Sequence, residues 1–181
     1  MRYPAEHKDR MRSKIVGASA AVAKRGGFSA SGIDALAEAA GVTSGAVYKH
    51  FEGKDGLLRA IIESELAATE RRFANADPKK AVDAYLSLAH VEQPEAGCLL
   101  PALAAEVARA SAETRAAYEA AMDQLMTTLA ARLGDRALAH ALVSLCVGAV
   151  MVARGLASTE ARKEILAAAR ASAHALLAQR S

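Results

Sequence analysis

Between Ser31 and Lys54 the chain gathers hydroxyls, small residues and cations at close spacing: Ser31, Thr43, Ser44, Gly45, Ala46, Tyr48, Lys49, His50 and Lys54. Hydroxyl, imidazole and ammonium groups donate hydrogen bonds to phosphate oxygens, and small side chains let a helix come close to a partner. The set reads as a surface for a polyanion, not as a reacting centre. Elsewhere the sequence has no phosphate loop, nucleophile elbow or paired acid and base, so no catalysis is expected. His7, His50, His90, His140 and His174 include no i, i+4 pair. Cys98 and Cys146 match no metal or redox spacing, so neither a metal nor a cofactor is expected.

The elements that must carry this surface follow from local signals. Ser31 with Asp34 three residues later resembles a capping box, and Ile33, Leu36, Ala37 and Ala40 recur at helical spacing. Gly41 ends that helix by taking a left-handed conformation without steric cost. Thr43 or Ser44 can cap a second helix running through Tyr48 to Phe51. The two form a helix-turn-helix. On the second helix Val47 and Phe51 face inward, leaving Ser44, Gly45, Ala46, Lys49 and His50 on a small, polar, basic outer surface. In a major groove such a helix presents its N-terminal residues to base edges. Lys54 follows the helix within reach of a phosphate, and Tyr48 can contact one through its hydroxyl while its ring packs on the neighbouring helix.

The run from Gly27 to Leu58, with its AGVTSGAVYKHFEGKDGLL core, resembles the DNA-binding domain of TetR-like (tetracycline-repressor-like) transcriptional regulators. The resemblance rests on Gly41, Val42, Thr43, Gly45, Tyr48, His50, Phe51, Lys54 and Leu58 at set spacings and covers roughly the first third of the chain. It implies that Thr43, Tyr48, His50 and Lys54 contact phosphates, while Ser44, Gly45, Ala46 and Lys49 lie along the base edges. Gly32 departs from the pattern, standing where the family usually has a hydroxyl. Ser44 and Ala46 are short, which favours contact with a thymine methyl or readout of DNA shape.

Charge agrees with this placement. Residues 1–60 carry ten Lys or Arg against six Asp or Glu, and the rest carry thirteen against fourteen, within a net charge of +3. Arg2, Lys8, Arg10, Arg12 and Lys14 precede the motif and can add backbone or minor-groove contacts, or simply form a solvated helix face. The 181 residues are 52% hydrophobic but only 4% aromatic, with Ala dominant, which favours helices. The periodicity predicts an all-α fold of nine helices: the two of the motif, and segments near 6–25, 55–73, 78–90, 100–110, 113–133, 136–157 and 159–179, with 93–97 as a loop. Met11, Ile15, Ala18 and Val22 should face inward on the first. Residues 1–54 form the expected DNA-binding domain and 55–181 a helical ligand-binding and dimerisation domain. No secretory signal opens the chain and the cysteines suggest a reducing compartment, so a cytoplasmic location is expected.

The helix near 136–157 is apolar almost all round, which demands burial on more than one side. A membrane span is the rival reading, but His140 and Arg154 interrupt it. A second copy of the chain is the expected cover, with Leu138, Leu142, Leu145, Ala149 and Val152 meeting Leu166, Ala169, Ala173 and Leu177 in a four-helix arrangement. Two linked readers then match a palindromic operator in double-stranded DNA. The family resemblance further implies repression released by a small-molecule effector, with Tyr85, Leu88, Leu99, Leu103, Tyr118, Met122, Met126 and Met151 as candidate pocket walls and a hydrophobic or weakly polar ligand. Alternatives are a constitutive DNA binder or activator whose C-terminal part only dimerises, and a helical enzyme or lipid carrier. Cys98, beside Gly97, reads either as a thiol sensor or as a small buried hydrophobe.

Overall fold

A computed structural model describes residues 5–179; Arg2 lies outside them. Among these residues there are ten α-helices, one 3-10 turn and no strand. Helix α1 (Ala5–Gly26) stops at Gly27, whose φ of +87° only glycine adopts freely. Its core face is Ile15, Val16, Ala20 and Ala23, while Met11, Ala18 and Val22 are half-buried at its margin. Helix α2 (Ile33–Ala39) ends in the tight turn at Gly41, φ +65°, and α3 (Ser44–His50) follows with Thr43 accepting from the Ala46 amide at 3.3 Å. The expected capping box at Ser31 is not formed. Gly32 occupies the cap, the Ser31 hydroxyl donates to Gly27 O at 2.8 Å, and Asp34 is taken by the Ser44 hydroxyl.

Helix α4 (Gly53–Ala74) buries Leu57, Leu58, Ile61, Ile62 and Leu66 and packs along α8 (Ala112–Leu133) and against α1. It runs from the helix-turn-helix into the rest of the chain without a linker. The single helix expected over 78–90 is broken into α5 (Pro78–Tyr85) and α6 (Leu88–Glu92). The reason is tertiary. The His90 ring bonds Tyr85 O at 2.7 Å, Arg170 donates to Leu86 O at 2.6 Å, and Ser87 caps the new helix. Residues 93–97 hold the 3-10 turn at Pro94–Ala96, then α7 (Leu100–Val107) leads to α8 through a cap at Ser111.

The last helices, α9 (Arg136–Gly155) and α10 (Thr159–Ala178), are joined by three residues and pack against each other. The residues expected at a subunit interface are mostly spent inside this one chain. Leu142, Ala149, Leu166, Ala169, Ala173 and Leu177 are buried, Leu138 and Leu145 are half-buried, and only Val152 is well exposed, at 52%. The two helices turn their larger side chains toward α5–α8 and each other, because that is where a monomer can bury most apolar area. The outward faces carry mostly small residues, Ala141 and Ser144 on α9 and Ala168, Ala171 and Ala175 on α10, with Met151 and Val152 the large exceptions. Helix α9 is long and apolar enough to cross a membrane, yet only 33% of that stretch is buried in the chain.

Candidate nucleic-acid interface and interior cavity

Helix α3 is fixed by what it buries. Val47 is fully buried and Phe51 is nearly so, with the Arg12 guanidinium 4.9 Å above the Phe51 ring. Gly45, Tyr48 and Lys49 are exposed, and Ser44 and Ala46 are half-buried beside them. Thr43 is exposed although its hydroxyl caps the helix. Tyr48 does not pack on a neighbouring helix as expected; its side chain stands out, 57% exposed, free to reach a ligand through ring and hydroxyl. His50 is half-buried, and its Nδ1 is shielded from water without a partner. Burial, then the charges of Lys8 and Arg12, push the His50 pKa below that of a free imidazole. Basic residues of α1 therefore lie against the C-terminal end of α3, making one electropositive surface. Lys14 belongs to it, since its Nζ sits by the α2–α3 turn, 3.5 Å from where a side chain on Gly41 would begin.

Two expected phosphate contacts have other partners in the free protein. Lys54 donates to Ser29 O at 3.1 Å and lies 5.1 Å over the Phe28 ring, and Ser31 is turned toward Gly27. Sequence reasoning missed Asp34, which holds Ser44, because a carboxylate on the neighbouring helix gives no spacing signal. It also missed the ties from reader to body. Glu106 on α7 accepts from the Phe28 amide at 2.8 Å and from the Ser29 amide and hydroxyl at 2.5 and 2.6 Å. Burial opposes ionisation of Glu106, but the Ser29 and Phe28 donors and nearby Arg109 outweigh it and hold its carboxyl below the usual range. Asp55 accepts from Ser111 at 2.6 Å and Thr114 at 2.8 Å, and buried Lys24 joins Glu65 at 2.7 Å to Gly97 O at 3.0 Å.

Behind these ties lies a cavity of about 80 Å³ between α4, α5, α8 and α9, walled almost entirely by apolar atoms. It adjoins a more open chamber of about 410 Å³ bounded by α4, α5 and the 87–98 segment. Of the eight candidate walls only Tyr85 lines either space. Leu99, Leu103 and Met126 are core, Leu88, Tyr118 and Met122 are half-buried elsewhere, and Met151 faces outward, 44% exposed. The walls are instead residues such as Phe73, Leu125, Leu129 and Val143, with both cysteines. Cys98 and Cys146 are free and buried, and burial pushes the Cys146 thiol up to about 11. No cluster of three or more His, Cys, Asp or Glu suited to a metal occurs among the described residues.

An exposed basic helix set by a glycine turn on an all-helical body has the geometry of a helix-turn-helix. Residues 15–61 match the N-terminal model of the bacterial regulatory proteins of the tetR family. An 82-residue stretch is 32% identical to YfiR of Bacillus subtilis, an uncharacterized HTH-type transcriptional regulator, covering 45% of this chain and 40% of that protein. The fold is similar to a tetR-family transcriptional regulator of Cytophaga hutchinsonii, with TM-score 0.74, 19% identity and 99% and 98% of the two chains covered. It is similar also to the reduced form of Escherichia coli NemR, with TM-score 0.73, 22% identity and 91% and 95% covered.

Proposed function

We propose that the protein is a sequence-specific, dimeric transcriptional repressor released from a palindromic operator by a small molecule, and that it acts in the cytoplasm. The observation that carries this is the continuity from reader to cavity: the α1–α2 loop and α1 are bonded to Glu106 and Gly97 O, and the Gln93–Cys98 segment forms a wall of the outer chamber. Residues 1–54 serve as reader and 55–181 as ligand-binding and dimerising body. Ser44, Gly45, Ala46 and Lys49 address base edges, while Thr43, Tyr48, His50 and, once released from Ser29, Lys54 hold phosphates. Because one short helix reads too few base pairs for genomic specificity, two readers a helical turn apart, about 34–36 Å, supply the rest.

Release requires the ligand to bind the non-DNA arrangement better, by a few kcal/mol in differential affinity. The test is selection of genomic fragments by the purified full chain, followed by competition with small apolar compounds. The expected result is an enriched inverted repeat and release by at least one compound class. Equal retention of selected and random DNA would overturn the DNA-reading role; tight operator binding indifferent to every compound would overturn the ligand control.

A further inference from the structure

The two cavities share one wall, formed by Thr69, Phe73, Ala76, Ala81, Tyr85 and Cys98. The Tyr85 hydroxyl is shut off from water, with no oxygen or nitrogen partner and only the weakly bonding Cys98 thiol beside it. Such a group gains from a stronger acceptor, because a buried hydroxyl with nothing better than a thiol is poorly satisfied. Burial and the adjacent Cys98 thiol hold the phenol well above its free pKa, so it remains a donor. The neighbouring imidazole is not available: His90 Nε2 accepts from the Cys98 amide at 3.0 Å, which leaves Nδ1 to donate to Tyr85 O.

Charge around the spaces is one-sided. Arg72 and Lys80 border the outer chamber and Arg132 the inner one, while no Asp or Glu lines either. The inner cavity is about half the roughly 150 Å³ that accepts a benzene molecule, which suits a short alkyl end. The outer chamber falls within the range of ordinary ligand pockets, about 300–1,000 Å³.

We propose that the paired cavities bind a small amphipathic carboxylate, its alkyl end in the inner cavity, its head in the outer chamber between Arg72 and Lys80, with Tyr85 donating to a carboxylate oxygen. This deepens the ligand-controlled reading and rests on it for its biological meaning, but the binding is measurable without DNA. The full chain is titrated calorimetrically with octanoate, octanol and octylamine. Octanoate should bind at least about tenfold more tightly than octanol, and octylamine should not bind. Neutralising both Arg72→Gln and Lys80→Gln should erase the preference over octanol. Tyr85→Phe should weaken octanoate about fivefold or more with little change in the melting temperature of the free protein, since the hydroxyl it removes has only a weak thiol neighbour there. Octanol binding as well as octanoate, an unchanged affinity in the doubly neutralised chain, or no binding by any of the three overturns the proposal. Octanoate binding together with operator DNA that no compound releases sinks ligand control and leaves this site standing, whereas release by another apolar compound with no octanoate binding does the reverse.

Discussion

Lys49 and Arg12 sit in the same electropositive surface but on different elements. Lys49 is exposed on α3, while Arg12 reaches in from α1 over Phe51. Arg12→Ala should weaken all DNAs alike and reduce the salt slope of binding by about 1, whereas Lys49→Ala should relax base preference at one symmetric pair of positions in a selection experiment. Identical behaviour of the two variants would refute the division. His50 has its pKa lowered in the free protein, so it is neutral near pH 7, and the proposed phosphate contact would raise it. Binding should therefore take up a proton, and operator affinity should rise between about pH 7.5 and about pH 6. His50→Gln should flatten that rise; a pH profile unchanged by the variant would remove His50 from the phosphate contacts. The outward residues of α3 were legible in the sequence, because one turn of helix decides them. The alternative partners of Ser31, Ser44 and Lys54 were not, since each lies on a different element.

The break between α5 and α6 and the 93–98 segment form one unit around His90. Its ring joins the end of α5 to the Cys98 amide, and Gly97 passes so close that a methyl there would come within 2.4 Å of the ring. Gly97→Ala must displace a ring held at both nitrogens, and should cost about 1–3 kcal/mol in denaturant unfolding. Normal stability in that variant would show that the segment yields easily. His90 itself has a lowered pKa, chiefly from burial. The unfolded chain then binds more protons, so this unit's contribution is present above about pH 6.5 and declines as acid protonates the ring. The caps at Thr43, Asp77 and Ser111 and the stop at Gly134 follow from residue type within a turn of each helix end. The helix break does not, because the side chain that makes it arrives from α10 as well as from α6.

The reader and body are held by a few polar ties across an otherwise apolar junction, and Glu106 makes three of those bonds. Glu106→Gln should lower stability at neutral pH by about 1 kcal/mol, after discounting for partial exposure. Since its carboxyl is held below the ordinary value, its contribution is full above that value and lost as pH falls through the depressed one, so the variant should also lose less stability on acidification. More telling is ligand response: weaker release of operator DNA with ligand affinity unchanged is expected, and an unaltered response would assign coupling to α4 alone. For assembly, Val152→Glu places a charge on the outward face of α9 and should give folded monomers in sedimentation. Leu142→Glu should instead unfold the protomer, by about 3 kcal/mol or more, because Leu142 is core. A folded Val152→Glu dimer would move the interface elsewhere.

Amino-acid order alone specified the helix-turn-helix and the all-helical fold. A cap, a periodic apolar face and a glycine turn act over a few residues, and each residue type carries its own conformational preference. Folding in three dimensions decided which apolar residues of α9 and α10 are core, which helices wall the cavity, and that Glu106 bonds a loop 78 residues earlier in the chain. Those outcomes depend on which faces of distant helices meet. A side chain's own spacing says that it seeks burial, but only the packed neighbours determine against what.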